Sequence, residues 1–135
     1  MISVEEALKV QFYDLDPMGV VWHGNYPRFL EQGRIALLDK IGFGYEAMSA
    51  SGFLWPIVDM RLRYVLPIRY SQQLSITAKL VEYVNRLRIT YEIRDSHSNS
   101  VVTKAETTQL AVSAETGELS FECPPCLTDK VRSAL

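Results

Sequence analysis

The sequence predicts an α+β fold in which a five-stranded antiparallel sheet wraps one long helix. Two observations carry this expectation. Tyr26, Phe29, Leu30, Gly33, Leu37 and Ile41 recur at helical spacing and mark one continuous apolar face. Beyond residue 56, four segments alternate apolar and polar residues and are joined mainly by short turns, connections that suit antiparallel pairs. Length and composition agree with an ordinary globular protein: 135 residues, 47% apolar and 22% charged, expected as a single domain over residues 1–135. A net charge of −2 gives no reason to expect a nucleic-acid or membrane-surface partner. The absence of a long apolar run or a basic, apolar leader makes the cytoplasm the expected location.

Residues 7–15 partly alternate and read as the first strand, with Leu8, Val10 and Phe12 on one side. Asp16-Pro17 ends it, because the residue before proline avoids helical geometry, and Gly19 permits a tight loop. Asn25 is placed to cap the helix and Pro27 fits its first turn, while Lys40 and Gly42 mark its end. Gly33, in the middle of the apolar face, predicts close approach to another backbone. Tyr45–Ser51 reads as a short helical turn closed by Gly52.

Pro56–Leu66 then alternates as a strand, Pro67–Ser71 turns, and Leu74–Leu80 alternates again, with a phase slip at Val81–Tyr83 that predicts a bulge. Arg86–Arg94 alternates cleanly, Ser96–Ser100 is a hairpin loop, Val101–Ser113 is the last long strand, and Glu115–Glu118 turns the chain once more. One helix cannot cover both faces and both edges of such a sheet, so a homodimer or homotetramer is the expected remedy. Cys123-Pro-Pro-Cys126 has the spacing of a redox turn, yet two prolines fill its middle and a polar turn precedes it. It reads as a proline-rich exit from the last strand, with no second pair to complete a zinc site.

Chemistry concentrates before the long helix, in Asp16-Pro-Met-Gly-Val-Val-Trp-His23-Gly-Asn-Tyr26. A carboxylate serves as nucleophile or general base, and the free N–H groups of a helix start hold a developing oxyanion. These are parts for acyl transfer, and they call for no metal and no cofactor. Each residue also has an ordinary role: Asp16 as a loop cap, His23 as a structural histidine, Tyr26 as core, and Trp22 and Trp55 as core packing or pocket lining. Arg86 and Arg88 occupy the polar face of an alternating strand, which suits a solvated face as well as a phosphate site.

The pattern Asp16-Pro-x-Gly19-Val-Val-Trp-His23-x-Asn25-Tyr26, followed by Arg28-Phe-Leu-Glu and the strand order above, resembles the hotdog-fold thioesterases, nearest the 4-hydroxybenzoyl-CoA thioesterase and YbgC-like acyl-CoA thioesterase group. The resemblance covers about Leu8 to Val112. It implies a long central helix wrapped by an antiparallel sheet, an active site at a dimer interface, and hydrolysis of an acyl-CoA thioester to free acid and CoA. It also implies Asp16 as the catalytic carboxylate, and His23 as the position whose backbone N–H helps bind the carbonyl oxygen, with its side chain also implicated. Gly19 lets the loop approach substrate, Trp22, Asn25 and Tyr26 flank it, and Arg86 and Arg88 match the basic stretch that contacts CoA phosphates. Some members of the group carry Tyr four residues before the Asp; here that position is Phe12, with Tyr13 beside it. Acyl groups on a carrier protein, or binding without turnover, are the alternatives the resemblance leaves open.

Overall fold

The computed structural model describes all residues from Met1 to Leu135. Its centre is helix α1 (Tyr26–Lys40), which buries Tyr26, Phe29, Leu30, Gly33, Leu37 and Leu38, nearly the face predicted from spacing. Ile41 follows as the buried cap residue, and Gly42 takes the left-handed conformation at φ 77° that ends a helix without steric cost. A second helix, α2 (Tyr45–Ala50), is short and ends before Gly52, also at positive φ.

Five strands form the main sheet: β1 (Ser3–Leu8), β3 (Ile57–Tyr64), β4 (Leu74–Glu82), β5 (Leu87–Asp95) and β6 (Val101–Gln109). They lie in the order β1-β4-β5-β6-β3, and every pair is antiparallel. Leu74, Ile76, Ala78 and Leu80 on β4, with Leu87, Ile89, Tyr91 and Ile93 on β5, are all buried and belong to one core with the apolar face of α1. The predicted slip near Val81 is present as a register shift between Leu80 and Glu82. At the crossing of helix and sheet, a Cβ on Gly33 would stand 3.2 Å from Ile76 Cδ1 and 3.3 Å from Ala78 Cβ. Glycine here sets how closely α1 lies on β4.

Several predicted boundaries are corrected. The first strand is Ser3–Leu8, not 7–15; its polar side chains are largely exposed, and its place in the sheet comes from backbone pairing with β4 from Ser3↔Lys79 to Leu8↔Leu74. The chain then leaves the sheet, and Phe12–Asp14 forms a 3-10 turn instead of continuing the strand. Phe12, predicted to face inward beside Leu8 and Val10, is 79% exposed.

The segment Pro56–Leu66 is also divided from its neighbours: Phe53–Leu54 forms β2, which pairs with β7 (Val112–Ser113) in a separate two-stranded sheet. The predicted strand Val101–Ser113 therefore breaks after Gln109. Gln109 Nε2 donates to Trp55 O at 2.7 Å at that break, tying the two sheets together.

The Cys-Pro-Pro-Cys segment does not simply leave the last strand. It opens a third helix, α3 (Pro125–Ala134), with proline in its first turn, and buries Leu127 and Val131 in the core. Both cysteines are free. Burial pushes the Cys123 thiol up to about 11, with Glu82 and Cys126 adding to the rise, and burial also raises Cys126. Neither is an activated thiolate, since reactivity follows the deprotonated form.

The helix–sheet contact gives a direct test. Gly33→Val forces two γ-carbons against Ile76 and Ala78, and overpacking of this kind costs about 1–3 kcal/mol. Urea unfolding should therefore show a midpoint shifted to lower denaturant; an unchanged midpoint would mean that α1 does not depend on this approach.

Candidate active site

Asp16 sits in the turn that the sequence required. Its Oδ1 accepts the Met18 N–H at 2.8 Å and the Val20 N–H at 3.3 Å, and Gly19, at φ 80°, donates its N–H to Asp16 O at 3.0 Å. Asp16 is thus a loop cap through Oδ1, which the backbone holds, while Oδ2 accepts no hydrogen bond. Two short bridges, Leu15↔Val21 and Val20↔Arg69, hold this loop against the rest of the chain.

After Trp22 the chain makes a 3-10 turn, His23–Asn25, that runs directly into α1. Asn25 does not cap the helix with its side chain, as had been expected. It has turned to donate Nδ2 to Asp14 O at 2.9 Å, and the preceding 3-10 turn, with Pro27 behind it, starts the helix instead. The N–H groups of His23 and Gly24 open that turn and have no backbone acceptor, as expected for the first donors of any helix.

A cavity of about 330 Å³ brings these parts together. Asp16, Met18, Val20, Val21, His23 and Tyr26 line one side, and Tyr64, Val65, Leu66 and Pro67, at the end of β3, line the other. Most of its lining is apolar, which suits an acyl group better than a sugar or a nucleotide. Tyr26 is buried and meets Tyr64 edge-on, with ring centroids 4.7 Å apart. Burial, and then the nearby Tyr64, raises the Tyr26 phenol above its ordinary range, while a hydrogen bond with the Ile68 backbone opposes the shift. No group of three or more His, Cys, Asp or Glu side chains gathers in a metal-binding arrangement.

Other expected residues lie elsewhere. Trp22 is half exposed and packs outside the cavity, its ring 5.2 Å from His23 and directly over Gly24, where a Cβ would come within 2.4 Å of it. Trp55 is core, edge-on to Phe43. Phe12 and Tyr13 are both exposed and do not line the cavity. Arg86 and Arg88 are not brought to Asp16 within the chain. Arg88 pairs in register with Thr108 and Tyr64 with Thr103, five residues along β6, or about 16 Å at the strand rise. Both arginines are held by carboxylates: Arg86 Nε donates to Glu82 at 3.0 Å, and Arg88 bonds Glu106 at 2.7 Å and approaches Glu82 at 3.3 Å. The hydrogen bond that Arg88 donates to Glu106 leads the causes that raise the Arg88 guanidinium above its ordinary range.

Sequence inspection missed two residues that the site depends on. Tyr64 closes the cavity from β3, and its hydroxyl donates to His23 O at 3.0 Å. Asp14 is 1% exposed and gathers the whole loop: its carboxylate takes the Gln11 N–H at 2.7 Å and pairs with Arg28, and its carbonyl takes the Trp22 N–H and Asn25 Nδ2, each at 2.9 Å. An acidic residue and an arginine on either side of the Asp16–Tyr26 motif were the available signal.

Comparison with known proteins shows the family and the fold. The family model described as the thioesterase-like superfamily matches residues 10–133. YneP of Bacillus subtilis is 33% identical over 79 residues, which make up 58% of this chain and 57% of YneP. The acyl-CoA thioester hydrolase YbgC of Escherichia coli O157:H7 is 29% identical over 73 residues, 54% of each protein. The chain thus spans little more than half the length of these two relatives. The crystal structure of a DHNA-CoA thioesterase from Staphylococcus aureus superposes with a TM-score of 0.86 at 24% identity, covering 99% of this chain and 89% of that one. The fold is therefore the hotdog fold expected from the sequence.

The Asp14 clamp is open to measurement. Removing one partner of a buried ion pair costs about 3–5 kcal/mol, and the half-exposed Arg28 places Asp14→Ala at the lower end of that range. Thermal unfolding should show a large drop in midpoint, and Arg28→Ala, which leaves the buried Asp14 carboxylate without its cation, should lower the midpoint as well. Equal stability of Asp14→Ala and wild type would remove the clamp from this account.

Proposed function

The chain belongs to the thioesterase-like superfamily, and from that premise we propose that it hydrolyses acyl-CoA thioesters to free acid and CoA. The observation that supports this reading best is the pairing, around one apolar cavity, of a carboxylate with one oxygen fixed and one free, and a helix start whose first N–H groups are unused. The acyl chain would lie against Val20, Val21, Val65 and Leu66. The thioester carbonyl oxygen would meet the N–H groups at His23, where α1 and the 3-10 turn add their positive dipole end.

Hydrolysis then needs an oxygen nucleophile on the carbonyl carbon. Asp16 Oδ2 acts either by direct attack, giving an acyl–carboxylate anhydride that water cleaves, or by taking a proton from the attacking water. In both routes the carbon–sulfur bond breaks, the sulfur leaves as thiolate and gains a proton, and the acid retains the new oxygen. Fixing Oδ1 by two N–H groups keeps the other oxygen aimed without rotation of the side chain.

One observation favours a second reading, in which the acyl group rides on a carrier protein. Arg86 and Arg88, expected to hold CoA phosphates, are paired with Glu82 and Glu106, and Arg88 stands about 16 Å along the sheet from Tyr64 at the cavity wall. A carrier protein needs only the phosphopantetheine arm in the cavity, so its thioester would not call on them.

The site also argues for a second copy of the chain. Strand β3 is an edge of the sheet, and Val58, Tyr64, Val65 and Leu66 are exposed along it and beside the cavity. An open edge carrying apolar side chains is stabilised by pairing, so we infer a homodimer or homotetramer joined through β3, with the cavity at the interface.

Free-thiol release from short, long and aromatic acyl-CoAs, and from acyl-carrier-protein thioesters, tests the activity. Asp16→Asn should stay folded and lose about 100- to 10,000-fold in kcat; equal turnover by both proteins would remove Asp16 from the chemistry. Sedimentation equilibrium should give two or four times the 15.4 kDa chain mass. A fully active 15.4 kDa monomer would exclude the proposed interface.

A further inference from the structure

Two peptide groups at the turn before α1 have free N–H donors, those of His23, which lines the cavity, and of its neighbour Gly24, and both are treated alike at their other ends. The peptide joining Trp22 to His23 has its carbonyl, Trp22 O, bonded by the Asn25 N–H at 2.9 Å. The peptide joining His23 to Gly24 has its carbonyl, His23 O, bonded by the Tyr64 hydroxyl at 3.0 Å. A donor on a carbonyl draws electron density through the amide and strengthens the N–H on the far side of the same peptide, as in any chain of hydrogen bonds. The first of these bonds belongs to the 3-10 turn itself. The second comes from another element, the end of β3, 41 residues away.

The surroundings hold that second bond in place. The Tyr64 ring is braced edge-on by the buried Tyr26 at 4.7 Å, and Tyr64 itself lines the cavity. From the other side the Trp22 ring lies over Gly24 and leaves no room for a Cβ. The His23–Gly24 peptide is thereby fixed by an aromatic ring on one side and a phenol hydroxyl on its oxygen.

We propose that Tyr64 is a positioning residue for thioester hydrolysis: its hydroxyl orients and polarises the His23–Gly24 peptide so that the Gly24 N–H joins the His23 N–H in holding the oxyanion. This rests on the hydrolase reading above. Tyr64 itself touches no reacting atom in this assignment. Its effect falls on the step where charge grows on the carbonyl oxygen, and so on kcat, while ground-state binding of the acyl chain changes little.

Tyr64→Phe keeps the ring, the cavity wall and the contact with Tyr26, and removes only the hydroxyl. Loss of one neutral hydrogen bond predicts a fall in kcat of about 3- to 10-fold, with KM unchanged and the same factor for every acyl chain that the wild type cleaves. The Gly24 amide proton should also shift upfield in the NMR spectrum of the variant, a readout that needs no turnover. A raised or chain-length-dependent KM with unchanged kcat would overturn the proposal and make Tyr64 a wall of the acyl pocket. An unshifted Gly24 amide would equally overturn it. Absence of turnover by the wild type on every thioester would instead bring down the hydrolase reading, and this assignment with it, whatever the variant does.

Discussion

The Asp14 carboxylate is the interaction on which the site depends. It is a buried charge, and a buried carboxylate is tolerated only where donors and a cation surround it. Here the donors come from residue 11, just before it, and the cation from Arg28 in the first turn of α1. Its carbonyl adds Trp22 and Asn25. One residue thus ties the end of the 3-10 turn, the strand-like return after Asp16 and the start of the helix into a single closed loop. Asp16 lies inside that loop, two residues from the clamp, so its direction is set by contacts that leave its own Oδ2 free.

The second constraint is the close approach of α1 to β4 at Gly33. A helix held by a larger residue there would stand further from the sheet, and its N-terminus would move with it. The cavity has one wall from the helix start and one from Tyr64–Pro67 on the sheet. Its width is therefore coupled to a packing contact about two turns down the helix. Fold and site meet on one helix: α1 packs on β4 at Gly33 and carries at its start the His23 turn, whose carbonyl the Tyr64 hydroxyl bonds.

What the sequence disclosed follows from how local each signal is. The helix and strands β4 and β5 were legible because their apolar residues repeat over many turns or alternations on a buried face. Strand β1 was not, because it lies at an edge with mostly polar, exposed side chains, and only its backbone records its place. Helix α3 was missed because Leu127 and Val131 give a single helical spacing, too little to stand out after two prolines. Asp16 and His23 were legible as a motif within eight residues. Asp14 and Tyr64 were not, since the role of each depends on a partner brought near by folding: Arg28 on the helix for one, and His23 across 41 residues for the other.

Arg86 and Arg88 show the opposite case: alternation put Arg88 on the polar face of β5, while Arg86 lies just before the strand, and the carboxylates that hold both did not follow from the pattern. A strand pattern says which face a side chain occupies, while its electrostatic state depends on cross-strand neighbours. Register sets Arg88 beside Thr108, with Glu106 and Glu82 within reach, and the resulting pairs leave little free charge for a phosphate. Recruiting these arginines to a ligand would mean exchanging two carboxylate contacts for phosphate contacts, a trade with small net gain on an exposed surface. The cavity, by contrast, has unused donors, an unpaired carboxylate oxygen and apolar walls. In the proposed function, recognition therefore rests on the acyl group and the thioester, which these features would match.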